Sequence, residues 1–245
     1  MKDIYLYGKH PVRELLVRYP ERIRTLFLAQ SAEQEFRPYA QRAQVRTEPL
    51  PRNQFMRDLE GAVHQGVVAL VNANGLMNDY QEFMHKLEPT ASTCLVLLNE
   101  ITDPHNVGAI IRSAAAFGAT AVLIPSQRQS PITGAVAKAS AGMLFTIPLI
   151  GINNENQTIL DLKERGYWVY GLAGEAKQEL SKEKFTAPCV FVVGSEGVGL
   201  REKTREHCDI LVRVPMHPRC ESLNASVSAA VALSAWSSQH PEALV

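Results

Sequence analysis

From Thr93 onward the chain alternates short apolar runs with stretches of helical composition: TCLVLL, AVLI, LFTIPLI, WVYGL, CVFVVG and ILVRV recur with helices between them. Strands of this length separated by helices imply a parallel sheet covered on both faces. The expected class is α/β. Glycines punctuate the helices: Gly118 follows SAAAF, Gly142 follows AKASA, and Gly166 follows a helix over residues 158–165, each placed for a left-handed stop. A final helix is expected from residue 223 to about residue 239, and its Ala, Ser and Val suit close packing against a partner helix.

The first 75 residues read as a smaller α/β unit, with a helix around residues 11–18, a strand TLFLA, a helix around 35–42, and a strand GVVALV after the loop HQ. The stretch NANGLMNDYQEFMHKLEPTAS that follows is polar and reads as a linker without a sheet strand. The expected division is therefore a small domain at 1–75, a linker at 76–92 and a large domain at 93–245.

A 46% apolar composition is ample for a buried core, yet no apolar stretch approaches the roughly 20 residues that cross a bilayer. The N-terminus MKDIYLYGKH lacks the apolar centre of a secretion signal, so a cytoplasmic location with no membrane contact is expected. The four cysteines show no CxxC spacing, which argues against a disulfide framework. Cys208 and Cys220 lie near His207 and His217, but that spacing matches no common zinc site and no metal is expected. Net charge is zero, although residues 1–60 carry 11 Lys or Arg against 8 Asp or Glu. A nucleic acid would have to be met by local basic patches.

Three short patterns stand where a predicted strand hands over to a helix, which is where open parallel sheets place their ligand sites. In the first, NVGAIIR at 106–112, Asp103 and Pro104 make a turn, Asn106 sits where a helix cap belongs, and Gly108 permits close backbone approach. Arg112 falls in the middle of a helix otherwise built of Val, Ala, Ile and Phe, which suggests a bound anion or a developing negative charge. In the second, VVGSEGVGL at 192–200, Gly194, Gly197 and Gly199 let a loop turn tightly and offer backbone N–H groups, with Glu196 inside it. The order GxxGxG is not the dinucleotide fingerprint, and no Lys-Ser or Lys-Thr pair makes it a P-loop. In the third, VPMHPRCESLNASVSAA at 214–230, two prolines stiffen a loop, Ser222 stands as the expected N-cap of the last helix and Asn224 in its first turn.

The ordered set NVGAIIR, VVGSEGVGL and VPM…SLNAS resembles the three motifs of the SpoU, or TrmH-like, family of RNA ribose 2′-O-methyltransferases within the SPOUT class, over roughly residues 93–240. GKHPVRELL and HQGVVALV resemble the small RNA-binding domain of the subgroup that methylates a guanosine of large-subunit ribosomal RNA. The resemblance implies a parallel sheet whose C-terminal segment is threaded through a trefoil knot, with S-adenosylmethionine bound there. It implies catalytic roles for Asn106, Arg112, Glu196, Ser222 and Asn224, and cofactor contacts from Gly174, Gly194, Val214, Met216 and Leu223. Val214 stands where isoleucine is frequent and Ala225 where valine is frequent, while HPRC is bulkier than the family's small-residue loops.

Methyl transfer to a ribose hydroxyl needs oxygen, methyl and sulfur in line, together with loss of the hydroxyl proton. A guanidinium stays protonated in proteins, so Arg112 is expected to stabilise the developing alkoxide or orient a phosphate, not to act as base. Ser222 is expected to hold that phosphate, with Glu196 and Asn224 orienting ribose and arginine. Recognition of a 2′-hydroxyl selects RNA over DNA. A homodimer built partly on the last helix is expected. The alternatives are the same chemistry on transfer RNA and a non-catalytic RNA-binding or ribosome-assembly protein; a nicotinamide oxidoreductase lacks its early GxGxxG.

Overall fold

The computed structural model describes residues 3–51, 59, 63–195 and 197–244. Two sheets form among them. The first carries β1 (Ile4–Tyr7), α1 (Lys9–Arg18), β2 (Ile23–Leu28), α2 (Gln30–Arg42), β3 (Thr47–Pro49) and β4 (Val67–Val71), with strand order β1-β4-β2-β3. The central strand β4 pairs antiparallel with both β1 and β2, so its residues VVALV are buried on nearly every side. The sequence reading missed β1 and β3; IYLY is only four residues long, and TEP has no apolar signature.

The large sheet is built from β5 (Met77–Asp79), β6 (Cys94–Asn99), β7 (Ala121–Pro125), β8 (Leu149–Ile152), β9 (Trp168–Leu172), β10 (Gln178–Glu179), β11 (Cys189–Gly194) and β12 (Ile210–Arg213). All its pairings are parallel, in the order β10-β12-β9-β11-β6-β7-β8-β5. Around it run α3 (Tyr80–Lys86), α4 (Pro104–Ala116), α5 (Gly134–Ala139), α6 (Glu155–Glu164), α7 (Glu202–His207) and α8 (Ala225–Ser237). β6 and β11 are covered on both faces, which is why LVLL and VFVV run apolar without alternation. Gly118, Gly142 and Gly166 adopt left-handed φ of 75°, 84° and 85° after their helices, as expected of stop signals.

The polar stretch read as a linker without a strand proves otherwise. Met77–Asp79 adds an edge strand to β8, and Tyr80 and Met84 of α3 are buried. The Tyr80 hydroxyl donates to Asp161 of α6 at 2.6 Å, fixing α3 to the sheet's helical layer. Three strand residues bearing Asn and Asp gave no periodicity for a sequence reading to detect.

The two sheets share one apolar core, which runs from Leu6 and Phe36 to Val96 and Phe191. Their contact is close at α5. A Cβ added to Gly134 would stand 1.9 Å from the Tyr5 carbonyl oxygen, and Lys138 lies 5.0 Å over the Tyr7 ring.

Candidate active site

Helix α4 begins at Pro104, which needs no N–H partner there, and its cap is Asp103, whose Oδ1 accepts the His105 N–H at 2.9 Å. Asn106 is therefore not the cap. It lies inside the first turn, 6% exposed, and its side chain has a partner elsewhere in the chain. That partner is at the head of α8, where Asn224 Nδ2 donates to Asn106 Oδ1 at 3.0 Å.

The expected start of the last helix is corrected in the same place. Asn224, not Ser222, is its cap: Asn224 Oδ1 accepts the N–H groups of Ser226 at 2.9 Å and Val227 at 3.3 Å. Ser222 stands two residues upstream, outside any helix or strand, exposed, on the wall of a cavity. Both Ser and Asn can cap, so sequence alone could not choose between two candidates two residues apart.

That cavity encloses about 720 Å³ at the C-terminal ends of β9, β11 and β12. Gly174 comes from the loop after β9, Gly194 from the end of β11, Val214 and Met216 from the segment after β12, and Leu223 from the approach to α8. All five residues assigned to a cofactor thus line one space, together with Ser222 and Asn224. The sequence reading did not single out Ser195, Val212, Glu175 or Arg205, which line it as well. Arg205 and Glu175 form an ion pair at this wall. The Glu175 backbone N–H, with help from Arg205, holds that carboxyl below its ordinary range.

The glycine loop is shaped by contact with itself. A Cβ on Gly194 would meet the Gly199 carbonyl carbon at 2.4 Å, while Gly197 and Gly199 take φ of 83° and 69°, a region open mainly to glycine. The Gly199 N–H closes the turn on the Ser195 carbonyl at 2.9 Å, so that group serves the loop and not a ligand. Glu196, assigned a catalytic role from its motif, lies outside the described residues. Gly108 does permit close approach, but what approaches is α5: its Cβ would stand 2.4 Å from the Ala139 Cβ.

Arg112 lies in the second half of α4. It is exposed, and it does not line the cavity. Ala109 and Ser113, four apart, share a helix face, and Arg112, three residues after Ala109, stands at the side of that face. Ala109 and Ser113 line a second groove of about 640 Å³ against Val227, Ala230, Val231 and Ser234 of α8. Val227 and Val231 are left 46% and 37% exposed there.

Residues 93–234 match the SpoU rRNA Methylase family, and residues 5–76 match a domain described as RNA 2'-O ribose methyltransferase substrate binding. The chain is 39% identical over 233 residues to the 23S rRNA (guanosine-2'-O-)-methyltransferase RlmB of Pseudomonas putida, covering 93% of each protein. It is 36% identical to the protein of that name from Haemophilus influenzae, covering 93% of this chain and 94% of that one. Its fold is similar to that of the SpoU methyltransferase AviRb from Streptomyces viridochromogenes in complex with AdoMet, with TM-score 0.78 and 21% identity over 98% of this chain and 91% of that one. The order of the three motifs, the cavity lined by the second and third, and these matches agree: the chain belongs to the SpoU rRNA methylase family.

Proposed function

We propose that this protein transfers a methyl group from S-adenosylmethionine to a ribose 2′-hydroxyl of RNA, with a guanosine of 23S rRNA as the target. The observation that carries this reading is the Asn106–Asn224 bond, which draws the first and third motifs to the edge of the cavity that the second motif also lines. A cavity of about 720 Å³ suits a nucleoside-sized molecule, and its wall of glycine backbone and Val193, Val214, Met216 and Leu223 fits an adenosine. Bound there, S-adenosylmethionine would supply an electrophilic methyl group.

The chain's own residues then have to position a ribose and handle a proton. Asn224, fixed by its cap bonds and by Asn106, offers a rigid polar head at the cavity edge. Ser222, exposed beside it, is assigned to the RNA phosphate, and Glu196 to the ribose. Arg112 is assigned to the developing alkoxide or to the adjacent phosphate, because a guanidinium keeps its proton.

Arg112 is exposed on α4, the helix that supplies Ala109 and Ser113 to the groove, and it does not line its own protomer's cavity. We therefore read the groove as the seat of a second copy, making the working enzyme a homodimer in which Arg112 acts across the interface. Residues 1–75 are assigned to RNA binding and 93–245 to catalysis, in the cytoplasm. The C-terminal chain is read as knotted, on the support that β12 returns beside β9 after β11 has been laid on its other side.

Tritium transfer from labelled S-adenosylmethionine to unmodified ribosomal and transfer RNA, followed by nucleoside analysis, tests the reading. 2′-O-Methylguanosine in 23S rRNA is the expected product. Label confined to transfer RNA would discard the substrate, and label in neither RNA nor ribosome precursors would overturn the proposed activity.

A further inference from the structure

Glu100 directly follows β6, at the same C-terminal edge of the sheet as the cavity, and its backbone adopts φ of 59°, a region that residues with a Cβ rarely occupy. Its carboxylate is 17% exposed and is shared by two arginines: Arg128 Nη1 at 3.0 Å and Arg201 Nε at 2.7 Å. Arg128, in the loop after β7, is itself left-handed at φ 53°. Arg201 follows Leu200, which closes the glycine loop. Three loops from three adjacent strands, two of them in unfavourable backbone conformations, converge on one carboxylate. Outliers held this way cluster where geometry matters more than local stability.

The arrangement is not neutral. Two guanidinium groups share one carboxylate, which leaves one positive charge in excess. Each arginine spends a single nitrogen on Glu100, and their side chains remain 61% and 52% exposed. The remaining donors of each fork are free to meet a planar or tetrahedral anion in two-pronged fashion.

Position decides which anion. The strand order β12-β9-β11-β6-β7 puts the loops after β6 and β7 on one side of the cavity, and α5, which follows β7, packs on β1 of the N-terminal sheet. A polynucleotide held by the N-terminal sheet and reaching the cavity would pass over this edge.

We infer that Arg128 and Arg201, oriented by Glu100, form a docking site for backbone phosphates of the RNA beside the target nucleotide. This rests on the proposed RNA methylation and adds a positioning site to it.

The test uses the full-length protein and an unmodified 23S rRNA transcript, with binding measured across a series of salt concentrations. Replacing both arginines (Arg128→Ala with Arg201→Ala) is expected to flatten the dependence of log affinity on log salt by about 2, one for each phosphate that an arginine no longer neutralises. The KM for RNA should rise roughly tenfold or more, while S-adenosylmethionine affinity stays unchanged. The pair Arg128→Lys and Arg201→Lys keeps both charges and should keep the salt slope, which guards against a folding defect in the alanine protein. If the alanine protein loses thermal stability but keeps slope and KM, the cluster is only a structural clamp and the inference falls. If the wild-type protein methylates no RNA, the proposed function falls first and takes the docking site with it.

Discussion

Asn224 and Asn106, 118 residues apart in sequence, are joined by a 3.0 Å hydrogen bond that ties the head of α8 to the first turn of α4. Asn224 does two jobs with two ends of one amide: Oδ1 caps its helix and Nδ2 reaches the other motif. Separating the jobs is the natural test. Asn224→Ala should cost about 1 kcal/mol of stability through the lost cap and should also lose turnover. Asn224→Ser restores a cap former without the reach to Asn106, so thermal denaturation should recover while methyl transfer stays reduced by roughly tenfold. Recovery of both would mean that the amide bridge is incidental.

Gly194 and Gly174 should part company on substitution to alanine. At Gly194 a Cβ would strike the Gly199 carbonyl, so Gly194→Ala must displace the glycine loop and is expected to weaken S-adenosylmethionine binding and cut turnover by up to roughly a hundredfold. At Gly174 nothing lies within 4 Å, so Gly174→Ala should unfold at the wild-type temperature. Calorimetric titration and a thermal melt of each variant distinguish the two.

Arg112→Lys keeps a positive charge but loses the planar fork. If the fork is what meets the alkoxide or phosphate, turnover should fall by roughly tenfold or more with cofactor affinity intact. A lysine variant with near wild-type turnover would show that charge alone suffices.

Val231 is 37% exposed in the α4–α8 groove. If the groove seats a second copy as proposed, Val231→Arg puts an unpaired charge into that contact and is expected to yield monomers and to abolish activity by withdrawing Arg112 from the neighbouring site. Light scattering at micromolar concentration reads the first effect. A wild-type protein that is already monomeric would refute the dimer.

Tyrosines predict an alkaline limit. Burial pushes the Tyr167 hydroxyl up to about 12, and burial raises Tyr80 and Tyr170 further, with Asp161 and Glu183 adding to each. A raised folded value means that the unfolded chain releases its proton first. The stability contributed is thus fully present below about pH 10 and is lost as pH rises through the folded value. Tyr167 Oη is also buried without a hydrogen-bond partner. Tyr167→Phe should therefore be neutral or stabilising by up to about 1 kcal/mol at pH 7, and should soften the loss of stability between about pH 10 and 12. Denaturant titrations at pH 7 and pH 11 check both halves.

Much of the large domain was legible because buried parallel strands announce themselves: each apolar run expected after Thr93 contributes to a strand of the sheet, although LFTIPLI begins as a helical turn and only its end joins β8. The small strands β1, β3 and β5 were not legible: IYLY is only four residues long, and TEP and MND, bearing Asn, Asp, Glu or Pro, acquire strand geometry from a neighbour's unpaired edge and not from their own pattern. The caps were misassigned by two or three residues in both motif helices. Asp103 and Asn106, like Ser222 and Asn224, are equally able cap formers, and the choice lies in where the chain turns.

Residue types alone dictate the parallel α/β class and the glycine-bearing loops at its strand ends, while the five positions that meet in one cavity were legible through the motifs' resemblance to a family. Class and loops follow from residue types because strand burial and glycine's backbone freedom are local properties. Only the assembled fold settles that Asp103 and not Asn106 caps α4, that Asn106 is bridged to Asn224, that Arg112 is exposed and away from the cavity lining, and that Glu100 gathers Arg128 and Arg201. Each of these depends on which surfaces are brought together by strand order, and contacts between residues tens of positions apart leave no trace in the periodicity of either partner.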